Sequence, residues 1–485
     1  MKLAIMEDLH LPYHVGAMQY EALRFYLNYI EKSGSELLIV PGDFTADGNK
    51  ETAERFFEML RGISVPSLVM TGNADFRCAE TKEYFRSLTA APKHVFGDLT
   101  VLALRDGEGF VPEEDLALLS EADERTLVFL HHPIASLAEP ARSCLSEFAV
   151  SHLETPIFVG HAHIDKREGN IFYLNAADPD KAIGEEPCIY EYDTETRLLT
   201  KTHLPCPVPE DLPSFIGISA FRPVEDLAYA TEKGLYAVEF RPSVISADRA
   251  AIEQGVRRFR EAGGKCLSFH FPNLAERDGS LAKKDSLLAF AELARALSAD
   301  RITVHAPSVP LKMIERDPAL LARIADLAAE AISVLPITCA VGVENMHMTG
   351  EDTREDRCFG YTPEECRAFI GMLRKRCIGR KVGFHFDTGH ARNNIPLSQV
   401  YTQGVWMAEL GEEAVGYHIH QVLLENGRFV NHYPITEPYG ALISYASFFA
   451  MWERGRLGKA PVFLEIRPTA EDAAPYKKSL QWILN

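Results

Sequence analysis

No Cys-x-x-Cys spacing occurs in this sequence, and its nine cysteines are scattered along the chain. That pattern reads as reduced thiols rather than a disulfide framework. No run of eighteen apolar residues occurs either, so no helical membrane span is expected. The N-terminus has no charged leader and cleavage site before its first apolar run, so a signal peptide is not expected and the expected location is cytoplasmic. Basic charge is scarce: 50 Lys and Arg stand against 69 Asp and Glu, a net charge of −19. Such a chain is a poor match for a broad nucleic-acid footprint, although bound cations can reverse the field locally. No low-complexity segment interrupts it. At 46% hydrophobic and 25% charged it reads as an ordinary globular protein. Its 485 residues leave room for two sizeable domains, because one α/β barrel uses about 250.

What is present is a regular alternation of short apolar runs and helical patterns, an α/β chain throughout. Strands are predicted at 2–6, 37–41, 67–71, 99–104, 127–130, 157–159, 171–174 and 188–192, mostly bounded by Gly, Pro or Asp. Then "PCPVPEDLP" places four prolines in nine positions, 205–213, and marks a boundary. The expected domains are 1–205, a proline-rich linker 206–213, and 214–485. The second domain carries eight strand patterns, 215–219, 236–240, 266–271, 301–306, 339–344, 382–387, 416–421 and 462–467. Helical patterns separate most of them. Ser246 is a candidate cap for a helix ending at Gly263-Gly264, Asp317-Pro318 is expected to start another, and "TPEE" at 362–365 has capping-box spacing. Eight such units read as a (β/α)8 barrel.

"LAIMEDLHLP", residues 3–12, ends an apolar run in Asp8 and His10. Asp-x-His alone is a common accident. Matching pieces follow, however, at later strand ends: Asp43 in "PGDFTADG", Asn73 and Asp75 in "TGNAD", His131 and His132 in "HHP", and His161 and His163 in "GHAH". Carboxylates, an amide oxygen and imidazoles at one sheet edge suit divalent ions that accept O and N ligands. The order Asp-x-His, Gly-Asp, Gly-Asn, His, Gly-His-x-His resembles the calcineurin-like metallophosphoesterases over roughly residues 1–200. The resemblance implies a β-sandwich flanked by helices and a dinuclear centre. One ion would take Asp8, His10 and His163; the other would take Asn73, His131 and His161; Asp43 would bridge both. His131 is preferred to His132 because the family's ligand lies two places before the proline. Two cations so placed would clamp a phosphoryl group and activate water. The family usually carries a His after Gly-Asn, where this chain has Ala74. Asp75 is either the catalytic acid in its stead or a structural acid that orients Asn73.

The second domain places Glu239, His270, His305, Glu344, Asp387, His390, His418, His420 and Glu465 at or near strand ends. Buried acids and histidines at the C-terminal mouth of a barrel are costly unless paired or metal-bound. The set resembles the xylose-isomerase-like barrels over 214–485, a superfamily that includes sugar isomerases, epimerases and endonuclease four. The resemblance implies a shared metal position at Glu344, Asp387, His418 and Glu465. His270 and His305 match the second position of the endonuclease type, with Glu344 bridging. His390 and His432 match the third, where Val430 replaces an expected Asp. One to three ions, Zn or Mn, are implied here, and Mn, Fe, Zn or Ni in the dinuclear centre.

Three functions follow as expectations. The first is a phosphoesterase, acting through Asp43, Asn73, Asp75 and His131 on a small-molecule phosphodiester, fused to a barrel that isomerises or epimerises a sugar phosphate through Glu344 and Glu465. The second is a DNA-repair-type endonuclease using the barrel metals. The third is a barrel that only binds or regulates. The sole basic run, "RKRCIGRK" at 374–381, precedes strand six and reads as a solvated helix end opposite the barrel mouth. Nucleic acid and membrane are not expected partners, and the oligomeric state is left open. The polar stretch 347–361 is expected to form a lid.

Overall fold

Apolar residues on both faces of the first strands determine how the N-terminal part folds. A computed structural model describes residues 1–348, 352–440 and 442–484. Strands β1 (Lys2–Ile5), β2 (Leu37–Val40) and β3 (Ser67–Val69) run parallel. They are followed by β4 (Lys93–Phe96), β5 (Leu99–Ala103), β6 (Thr126–Leu130), β7 (Ile157–Val159), β8 (Lys166–Glu168), β9 (Ile171–Tyr173), β10 (Cys188–Asp193) and β11 (Leu198–His203). These form two sheets, ordered β11-β10-β1-β2-β3 and β4-β5-β6-β7-β9-β8. Leu3, Ile5, Leu37 and Ile39 of the first share one buried cluster with Val101, Ala103, Leu127 and Phe129 of the second. The alternate residues Leu102, Val128, Leu130, Ile157 and Val159 pack instead with Leu145 and Phe148 of the helix Ala141–Ser151. Both faces are therefore covered, which is why the strands read as unbroken apolar runs. Each such buried side chain contributes about 1.5–3 kcal/mol. The result is a β-sandwich flanked by helices, as its sequence implied.

The second part closes a barrel of eight strands. They are β12 (Ile216–Ala220), β13 (Ala237–Phe240), β14 (Cys266–His270), β15 (Arg301–His305), β16 (Ala340–Glu344), β17 (Val382–Asp387), β18 (Ala414–Ile419) and a closing strand, Val462–Leu464. All neighbouring pairs are parallel. The register sets His305 beside Glu344 and Asp387 beside His418. The chain divides into two units, one of Met1–Pro207 with short segments Pro438–Gly440 and Ser444–Ser447, the other of the remainder. The division falls within the proline-rich stretch. Among the described residues no helix is long and apolar enough to cross a membrane.

Several local expectations change. The strand predicted at 416–421 is two elements. β18 ends at Ile419, and a hairpin of β19 (Gln421–Glu425) and β20 (Arg428–Tyr433) follows, its turn at Asn426 and Gly427 in left-handed backbone. Asp248, not Ser246, caps the helix Arg249–Glu261, because its carboxylate reaches the amides of both Ala250 and Ala251. The next expected helix begins at Leu320, while Asp317 is taken by Arg323. Thr362 does cap Pro363–Arg376, accepting from the Glu365 amide, but the Glu365 carboxylate turns back to the amides of Gly360 and Tyr361. The basic run, which begins in the last turn of that helix, is engaged rather than merely solvated. Arg374 pairs with Glu413, Arg376 with Asp326, and Arg380 donates to the carbonyls of Leu335, Pro336 and Cys339. Of the stretch expected as a lid, 349–351 lie outside the described residues. Part of the rest is packed: Met348, Cys358 and Tyr361 share a buried cluster, and Asp352 pairs with Arg277 at 2.6 Å.

Candidate metal centres

In the first unit, parallel pairing brings the C-terminal ends of β1, β2, β3, β6 and β7 to one edge. Asp43, just past β2, sits between two groups of side chains. Its Oδ2 lies 3.1 Å from His10 Nε2, and its Oδ1 lies 3.5 Å from His131 Nε2. On the first side Asp8 Oδ1 is 3.4 Å from His163 Nε2 and 3.9 Å from His10 Nε2. On the second side His131 Nε2 is 3.1 Å from Asn73 Oδ1, and the His131 and His161 rings are 5.2 Å apart. All seven expected ligands of this unit therefore gather at one place. Asp8, His10, Asp43, His161 and His163 have φ between 46° and 62°, the left-handed region. Such backbone costs about 1–3 kcal/mol per non-glycine residue and marks positions held for another purpose.

Burial sets the protonation of this cluster. It pushes the His10 imidazole down to about 3, helped by the Lys181 charge, and His161 down to about 4, helped by His131. Burial opposes ionisation of Asp8 and Asp43, yet the adjacent histidines hold both carboxyls below the usual range. His10 and His161 thus favour the neutral form, and Asp8 and Asp43 the charged form, that bind cations.

Asp75 has a different place. Its Oδ1 accepts from the amide and hydroxyl of Thr45, at 2.9 and 2.7 Å, and its Oδ2 accepts from the Gly72 amide at 2.9 Å. It ties the loop after β2 to the loop after β3, and its hydrogen bonds go to those loops, not to the Asn73 side chain. Burial, with Asp43 nearby, pushes its carboxyl up to about 8. Ala74 turns its amide to Asp43 Oδ1 at 2.7 Å and buries its methyl. His132 stands beside the cluster with its ring 4.7 Å from His161. Asp106 holds the backbone amides of both His131 and His132.

In the barrel, Glu344 repeats the two-sided arrangement. Its Oε2 lies 3.0 Å from His270 Nε2 and 3.6 Å from His305 Nε2. Its Oε1 lies 3.2 Å from His418 Nδ1 and 3.4 Å from His390 Nδ1. His418 Nδ1 is also 2.7 Å from Glu465 Oε2 and 3.7 Å from Asp387 Oδ2. His432 reaches the same mouth from the β20 hairpin, its ring 6.1 Å from His390. All eight barrel residues expected as ligands are thus gathered. Burial pushes the His305 imidazole down to about 3 and His432 to about 2. Burial opposes charge on Glu344, but His418 and His305 hold it well below the carboxylate range.

The xylose isomerase-like TIM barrel family matches residues 227–485. The chain belongs to this family. The calcineurin-like phosphoesterase family matches residues 1–165. Among solved structures, the chain is similar to the TTHB071 protein of Thermus thermophilus, at 20% identity and a TM-score of 0.38, covering 56% of this chain and 96% of that one. It is similar to endonuclease IV of the same organism, at 19% and 0.37, covering 56% and 98%. It is also similar to a dimetal phosphatase from Danio rerio, at 14% and 0.31, covering 39% and 92%. No curated protein matches.

Both donor sets suit divalent cations. In the N-terminal unit, Asp8 Oδ1 is buried without a hydrogen-bond partner, 3.4 Å from His163 Nε2 and 3.9 Å from His10 Nε2. In the barrel, Glu465 Oε2 and His418 Nδ1 are close but not aligned for a hydrogen bond. Polar atoms that face a common point instead of one another fit ligands to an ion. The sets contain O and N donors and no sulfur, as expected for hard to borderline ions.

Supporting residues were missed by sequence reasoning. Glu7 accepts from His131 Nδ1 at 3.0 Å, and Asp178 Oδ2 lies 3.6 Å from His10 Nδ1. Glu239, noted only as a strand-end acid, accepts from His418 Nε2 at 2.6 Å, from Ser268 at 2.8 Å and from Thr303 at 2.7 Å. Arg301 fills the barrel interior between Ser268 and His385. No spacing signal marks these residues; each is defined by what a distant strand brings to it.

Proposed function

We propose that the N-terminal unit is a dinuclear metal-dependent phosphoesterase that hydrolyses a small-molecule phosphodiester. We further propose that the barrel is a metal-dependent isomerase or epimerase acting on a sugar phosphate. The observation that carries the phosphoesterase reading is Asp43, which turns one carboxylate oxygen to the Asp8, His10 and His163 group and the other to Asn73, His131 and His161. Divalent cations held there would supply charge to the phosphoryl group and activate water. The chain's own residues supply the rest. Glu7 holds His131 with its proton on Nδ1, Ala74 donates to Asp43, and Asp75 fastens the two loops that carry Asp43 and Asn73. In the barrel, Glu344, Asp387, His418 and Glu465 would hold a cation against a carbonyl or hydroxyl oxygen. Glu344 and Glu465, which both approach His418 Nδ1, at 3.2 and 2.7 Å, are the candidates for moving the substrate proton. The net charge of −19 supports a small substrate over a nucleic acid.

A second reading has the barrel itself cleave a phosphodiester. The grouping of His270, His305 and Glu344 favours it. One experiment separates the two: hydrolysis of a chromogenic phosphodiester and its monoester with added Mn²⁺, by the intact chain, Asp43→Asn and Glu344→Gln. Loss of diester turnover in Asp43→Asn alone is the expected result. Loss in Glu344→Gln alone would transfer the activity to the barrel.

A further inference from the structure

At the barrel mouth, His347, His390 and His432 share one feature, which His270 and His420 share with them. Each places Nδ1 against a backbone carbonyl: His347 on Met348 at 2.8 Å, His390 on Asn345 at 2.9 Å, and His432 on Glu465 at 3.1 Å. A carbonyl only accepts, so in each ring the proton sits on Nδ1 and Nε2 keeps its lone pair. This is the arrangement by which a backbone carbonyl fixes a metal-binding imidazole. The rings also lie together. His347 is 4.8 Å from His390, and His390 is 6.1 Å from His432 at an interplanar angle of 83°.

The sequence shows why His347 matters. Position 430, where an acid is expected two residues before His432, is Val430. His347 lies three residues past Glu344, in a loop held at several points. Asn345 is bonded both ways to the Asp387 backbone, at 2.8 and 2.9 Å. The Met346 amide donates to the Gly360 carbonyl, and the Met348 amide to Asn394 Oδ1, each at 3.0 Å. Its ring is therefore placed by the fold and is not a mobile surface group.

We infer that His347 replaces the missing acid and completes a third cation position with His390 and His432. The inference rests on the reading of the barrel as a metal site. Three imidazoles bind zinc and leave a fourth position open. Without an acid in the set, the bound ion keeps its full positive charge. The open position therefore suits an anionic oxygen, such as that of a phosphate group on the substrate.

The test is the zinc content of the purified full-length chain, measured by elemental analysis after weakly bound metal is removed. The variants are His347→Ala, His347→Gln, His347→Ala with Val430→Asp, and Glu344→Gln, each checked for folding by circular dichroism. We expect both single His347 variants to lose one zinc per chain and Val430→Asp to restore it. Unchanged zinc in either single variant, loss of more than one zinc, or no recovery with Val430→Asp would overturn the inference. Glu344→Gln separates this from the broader reading. If it strips zinc while the His347 variants do not, only the third position fails. If it too leaves the zinc content unchanged, the barrel is not a metal site.

Discussion

His418 donates its Nε2 proton to Glu239 across 2.6 Å, and this turns Nδ1 toward Glu344, Asp387 and Glu465. The carboxylate is buried and also accepts from Ser219, Ser268 and Thr303. Its role is to fix the tautomer and direction of a ligand it does not itself share. Glu239→Gln should weaken zinc binding in the barrel by about 10–100-fold, as loss of an outer-shell partner does. Chelator competition would measure this. An unchanged affinity would reduce Glu239 to a packing group.

The N-terminal unit has the matching pair, Glu7 and His131. A Cβ at Gly160 would overlap the Glu7 carboxylate. Gly160→Ala and Glu7→Gln should therefore resemble each other, both lowering metal affinity at the N-terminal cluster while leaving the barrel's affinity alone. If Gly160→Ala only lowered the melting temperature, the link through His131 would be refuted.

Asp75 serves the loops. Asp75→Asn turns an amide NH2 against the donors on one side, either Gly72 or Thr45, and should cost about 1–3 kcal/mol of stability. The folded fraction should keep its KM for a phosphodiester, with loss of activity following loss of fold. A fall in kcat with no change in melting would instead make Asp75 a catalytic acid.

The metal-free protein should weaken in acid. His10, buried, and His305, partly buried, have folded pKa values near 3, below the unfolded value of 6.5. Their contribution is complete above pH 6.5 and is lost as the pH falls toward 3, by about 2 kcal/mol each at pH 5. His418 runs the other way, since its acids raise it above the ordinary value. Its contribution is present at low pH and is lost as pH rises through the folded pKa. His305→Asn should accordingly flatten the fall in melting temperature of the chelated protein between pH 6.5 and 4. An unaltered slope would contradict the neutral state of His305.

Metal should stabilise both units. A cation present at about 100 times its dissociation constant adds about 2.7 kcal/mol at each site it fills. Chelation should lower the melting of both units, and Asp43→Asn should remove the response of the first alone. If Asp43→Asn left that response in place, Asp43 would not join the two ligand groups.

The sequence by itself determined the class of both domains and named nearly all the residues that the fold gathers into the two clusters. Parallel strands buried on both faces must be apolar throughout, so the few polar residues at their C-terminal ends stand out, as Asp8, Asp43, His131 and Glu344 do. What only the tertiary structure decided is which polar groups serve the ligands. Glu7, Asp178 and Glu239 carry no spacing signal, since each meets its histidine from a distant part of the chain, across 124 residues for Glu7 and 179 for Glu239. Asp75, next but one to Asn73 in sequence, could be either a catalytic or a structural acid, and only the fold shows its carboxylate bonded to Thr45 and Gly72. His347 sits in a polar loop without periodicity, and only folding sets its ring beside His390. Local pattern records what a strand must bury and where it stops. The hydrogen bonds that orient a side chain depend on closure of the sheet and barrel, which no local pattern encodes.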